Sequence, residues 1–200
     1  MKCDQALLKS YAEMETWDQF LERNGALGEY VSREVWKHAE RKYFREVERR
    51  IEYCKELLGE NDNWYARYVL AELYDRVNLD DFTEHLYKRS VRYWCIKAIR
   101  KKPDYAPAWA LLAEAYAWVA MLGGESETMP TLDVMVEENV TVDIGQGNPA
   151  AQKKILWLAE RAIRCSKEAL NLDPENRRYH KLSKECYGLK ADILEIDEKL

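Results

Sequence analysis

Apolar residues recur at three- and four-residue intervals through most of the chain, the spacing that gathers them on one face of an α-helix. Ala6, Leu7, Tyr11, Met14, Trp17, Phe20 and Leu21 predict a first helix over 4–23. Trp36, Ala39, Tyr43, Val47, Ile51, Cys54 and Leu58 predict the buried stripe of a second, which opens at the capping residue Ser32 and runs to about 58. Tyr65, Val69, Leu70, Leu73, Tyr74 and Val77 predict a third over 64–77. Phe82, Leu86, Tyr87, Val91, Trp94, Cys95 and Ala98 predict a fourth over 80–101. Three more follow over 106–122, 149–171 and 177–198, with Pro107 and Pro149 in first turns, where proline is tolerated. Turn signals separate them at Asn24-Gly25, 59–63, Pro103-Asp104 and Asp173-Pro174. Seven helices on short connections predict an all-α fold of stacked antiparallel hairpins, with a helical pair in 1–62 and the repeating part in 63–200.

Residues 123–148 interrupt this pattern. They carry Glu125, Glu127, Asp133, Glu137, Glu138 and Asp143 and no lysine, arginine or histidine. Alternating β-branched runs at 132–136 and 140–144, around a polar turn, predict a small β-hairpin that needs the helices for support. A plain acidic loop accounts for the same residues equally well.

Composition narrows the function. With 47% hydrophobic and 12% aromatic residues the chain can build a core, and a mean hydropathy of −0.59 with 34% charged residues describes a soluble protein. No window approaches the roughly 20 apolar residues of a membrane span. No apolar leader precedes the first helix, so the expected location is cytoplasmic. The five cysteines are scattered, with no Cys-x-x-Cys, which points to buried thiols rather than to disulfides or a zinc site. His38, His85 and His180 form no ligand-spaced pair. Gly145-Gln146-Gly147 lacks the lysine of a phosphate loop. The expectation is a noncatalytic chain with no metal and no cofactor.

Two stretches repeat one phrase. Ala98 and Pro103 are followed by Trp109, Leu112, Ala113 and Tyr116; Ala169 and Pro174 are followed by His180, Leu182 and Tyr187. Pro103 and Pro174 stand 71 positions apart, as do Tyr116 and Tyr187. With Leu70, Ala71 and Tyr74 as an earlier copy, this pattern resembles the tetratricopeptide repeat. Ala162 and Ala169 fit a later second helix, with Ser166 where the family prefers an aromatic. The departures are Arg67 and His180 at tryptophan positions, Lys184 at a small-residue position, and spacings longer than the family's period of about 34 residues.

The resemblance implies an α-solenoid whose leading helices line a concave groove for a peptide or helix of another protein. Carried onto this chain, the groove-facing positions are Tyr65, Tyr68, Glu72 and Asp75, then Ala110, Glu114 and Ala117, then Arg178, Lys181 and Glu185. Ala110 and Glu114 occupy positions where some members clamp a terminal carboxylate, so that mode of binding is not expected. The implied function is that of a scaffold, adaptor or chaperone-like module; a homodimer is a further candidate, suggested by the seven tryptophans.

The alternative reading is a nucleic-acid-associated regulator. Lys88, Arg89, Arg92, Lys97, Arg100, Lys101 and Lys102 run without an acid over 85–102, interleaved with Tyr87, Tyr93 and Trp94. Arg33, Lys37, Arg41, Arg45 and Arg49 recur every four residues along the second helix. Against this stand the net charge of −5 and the ordinary use of cations at helix C-termini.

Overall fold

A computed structural model describes residues 5–25, 32–76, 84–121 and 149–198. Within them lie eight helices: α1 (Gln5–Ala12), α2 (Trp17–Arg23), α3 (Arg33–Glu60), α4 (Trp64–Arg76), α5 (Glu84–Lys101), α6 (Ala106–Met121), α7 (Pro149–Leu172) and α8 (Arg177–Glu198). No strand occurs among the described residues, and the hairpin expected within 123–148 lies outside them.

The first helix is two helices. Thr16 takes an extended backbone and accepts a hydrogen bond from the Gln19 amide, while the Gln19 side chain accepts from the Thr16 amide. This reciprocal cap starts a new helix at Trp17. The signal was in the sequence as Thr-x-x-Gln, inside an apolar period that runs unbroken through it. At its far end α2 closes on Asn24 and on Gly25, whose φ of 62° suits a residue without Cβ. Elsewhere the local chemistry matches expectation: the Ser32 hydroxyl accepts from the Val35 amide, and Asn63 Oδ1 accepts from the Tyr65 and Ala66 amides.

Each helix from α3 onward packs chiefly on its neighbours in sequence; the alternate helices α4 and α6, and α6 and α8, also touch, and α1 reaches past two helices to α4. Helix α4 touches α1, α3, α5 and α6, and helix α6 likewise touches four others, α4, α5, α7 and α8. Ten of its residues are buried, from Ala106 to Ala120, so it is apolar on every side rather than amphipathic. The small residues Ala71, Ala98, Ala113, Ala162 and Ala169 are all buried, as close approach of paired helices requires.

The repeated phrase repeats in three dimensions. The Lys102 amide donates to the Ala98 carbonyl, and the Asp173 amide to that of Ala169. The Ala108 amide donates to the Tyr105 carbonyl, and the Tyr179 amide to that of Asn176. Trp109 Nε1 donates to the Pro103 carbonyl at 2.7 Å, and His180 Nε2 meets the Pro174 carbonyl at the same 2.7 Å, a pairing in which the ring nitrogen must donate. All three pairs are related by the 71-residue offset, so the α5–α6 and α7–α8 turns are copies of one another.

Candidate partner-binding face

The helices that open each hairpin, α4, α6 and α8, carry most of the residues singled out in the sequence. On α4, Tyr65 stacks on Tyr68 with centroids 6.0 Å apart, and both meet Tyr105 from the turn before α6. Trp64 completes the cluster, 4.9 Å from Tyr105. Tyr65 and Tyr105 stay half-exposed, whereas Tyr68 is only 7% exposed and belongs to the wall rather than to its surface. Burial, reinforced by the Glu72 carboxylate, pushes the Tyr68 phenol far above its ordinary range, so it acts as a donor. Its hydroxyl donates to Glu72.

Glu72 also receives Arg76 Nη1 at 2.8 Å. Arg76 in turn donates to the carbonyls of Ala12 and Met14, at 2.8 and 3.1 Å. Glu72 thus sits at the middle of a chain from the aromatic wall to the end of α1.

Across the face, Arg178 on α8 donates from Nη2 to both oxygens of Glu114 on α6, at 2.8 and 3.1 Å. Burial raises the Glu114 carboxyl above its ordinary value; Arg178 opposes that rise, and Asp75 and Glu72 add to it. The same carboxylate holds the Arg178 guanidinium up against the effect of its own burial. The structure therefore brings Tyr65, Glu72, Asp75, Glu114 and Arg178 together from three helices. Lys181 and Glu185 lie further out on α8, exposed and 3.5 Å from one another. Ala110 is buried and Ala117 half-buried. Trp64 and Tyr105 join the face although the sequence reading passed over them: Trp64 is the first residue of α4 and Tyr105 belongs to a turn.

At the α1 end, Gln5, Ala6, Lys9, Trp64 and Tyr65 line a depression of about 330 Å³. His38, Arg41, Lys42, Arg45 and Arg49 form an exposed row along α3, where Arg49 pairs with Glu46 at 2.7 Å.

Much of the basic run over 85–102 is engaged within the fold. Arg92 is 5% exposed, with its guanidinium over the Tyr116 ring. Lys101 reaches Asp62 at 2.6 Å, Lys102 reaches Asp104 at 2.7 Å, and Lys97 lies over Tyr93.

Of the seven tryptophans only Trp36 is exposed, at 38%; Trp17, Trp94, Trp109, Trp118 and Trp157 pack against the core, and Trp64 packs on Tyr65 and Tyr105. Cys54, Cys95, Cys165 and Cys186 are buried thiols outside any disulfide. Among the described residues no group of histidine, cysteine and carboxylate side chains is placed to hold a metal ion, and no helix is long and apolar enough to cross a membrane. The chain matches no protein-family model, no curated protein and no solved structure.

Proposed function

We propose that this chain is a noncatalytic protein-binding module of degenerate tetratricopeptide-like hairpins, a scaffold, adaptor or chaperone-like component of the cytoplasm. The observation that carries the reading is the series of touching leading helices, which gathers Tyr65, Glu72, Asp75, Glu114 and Arg178 on one face. A face made of half-buried carboxylates, a cation from the next helix and half-exposed phenols has the makings of a peptide groove: aromatic area for contact, and charge for register.

Selection of a random peptide library against the full chain tests this. Wild-type protein is expected to enrich a family of related peptides. The double variant Asp75→Asn, Glu114→Gln, with its melting temperature checked, is expected to lose them. Failure to enrich any family, or equal capture by the double variant, would overturn the reading.

A further inference from the structure

Helix α1 has eight residues, too few to be helical alone. Its place depends on α4, its main packing partner, and on α3, where Tyr11 meets the Tyr53 ring and lies under the Arg50 guanidinium; it has one fully buried side chain, Leu8. Three residues separate its end from Thr16, where the reciprocal cap begins a separate helix. The Glu13 and Met14 amides take the Lys9 and Tyr11 carbonyls, but the break leaves the Ala12 carbonyl without a successor in its own helix. Arg76 of α4 takes up two carbonyls there, those of Ala12 and Met14. The guanidinium is held in position by Glu72, one turn earlier on the same helix, through Nη1 at 2.8 Å. Both side chains are largely shielded, at 15% and 19% exposure. Glu72 is at the same time a residue of the partner-binding face, where Tyr68 donates to it.

We infer that α1 is a releasable cover whose docking is set by the charge of Glu72, through Arg76. This rests on the proposed groove only for its biological use: a partner cation drawn to Glu72 competes with Arg76 for it, and the clamp on α1 loosens. Occupation of the face and undocking of α1 are then two readings of one event. Arg76 is a positioning residue here, and Glu72 the point at which the face and the clamp meet.

The test needs no partner. Hydrogen exchange is followed by mass spectrometry in full-length wild type, Glu72→Gln, Arg76→Gln and the double variant. Glu72→Gln imitates neutralisation by a partner's cation. Arg76→Gln is expected to speed exchange of the α1 amides by roughly tenfold or more, the scale of losing charged hydrogen bonds. Glu72→Gln is expected to speed the same amides by a smaller factor, with α6 and α7 unchanged in both. In the Arg76→Gln background, Glu72→Gln is expected to add nothing, because its effect on α1 passes through that guanidinium. Exchange of α1 that ignores Glu72→Gln, or that responds equally with and without Arg76, would overturn the inference. Neither result touches the peptide selection, so the groove and the cover fail separately.

Discussion

His180 stands where the matching unit has Trp109, and it makes the same bond to the same carbonyl. The two side chains share a ring N–H at similar reach from the backbone, which is what the turn uses. Replacing His180 with Trp should therefore leave stability nearly unchanged. Replacing it with Phe removes the donor and should cost about 0.5–1 kcal/mol, read from urea melts of both variants. At Glu114 the proton is held more tightly in the folded chain than in the unfolded one, because burial raises its pKa above 4.5. The contribution of Glu114 to stability is thus greatest below that value and is lost as pH rises through the folded pKa. Arg178→Ala removes the cation that opposes the shift. The Glu114 carboxyl, followed by NMR, should then titrate at higher pH than in wild type; an unchanged midpoint would show that the ion pair has no influence on it. Which of Tyr65 and Tyr68 is buried was not legible locally. They are neighbours on one helical face, and Tyr105, brought in from the turn before α6, closes over Tyr68 at 4.9 Å.

At the level of elements, periodicity located nearly every helix because each has to hide a stripe from water. The ends were legible where a side chain does the capping, as Ser32 does for α3. The break between α1 and α2 was missed because the apolar stripe continues across it: Tyr11, Met14 and Trp17 keep helical spacing while the backbone leaves the helix at Glu13–Thr16. Capping chemistry overrides periodicity there. Thr16→Ala should cost about 0.5–2 kcal/mol, concentrated in α2, and should appear as faster amide exchange at Trp17–Phe20. The α3 stripe slips at both ends for a different reason. Trp36 is exposed, with its ring edge-on to Trp17 at 5.8 Å, and Leu57 rather than Leu58 is fully buried. Over 28 residues the 3.6-residue turn drifts against a strict three-four count, so the two ends of a long helix are read less well than its middle.

On the scale of the whole molecule, packing largely by sequence neighbours predicts a distribution of stability that follows the chain. Each helix draws support from those beside it, and the centre has support on both sides. Helix α6 touches four others, while α1 leans chiefly on α4. The composition of 106–121, with ten buried residues in sixteen, marks this helix as an inner one, a signal that the periodicity reading passed over. The consequence is a graded response to equivalent cavities. Leu112 and Leu8 are both essentially fully buried leucines. Leu112→Ala should cost about 2–5 kcal/mol and lower the melting of the whole array, because the lost volume lies where α6 meets its neighbours. Leu8→Ala removes the same atoms from the eight-residue α1, which leans chiefly on one neighbour. It should free α1 while the main unfolding transition moves far less. Amide exchange on the two variants distinguishes the outcomes: a uniform rise across α3–α8 for Leu112→Ala, and a rise confined to α1 and α2 for Leu8→Ala. If Leu8→Ala instead accelerates exchange throughout α6 and α7 to the same extent as Leu112→Ala, the chain unfolds as one cooperative block, and support does not pass from neighbour to neighbour along the stack.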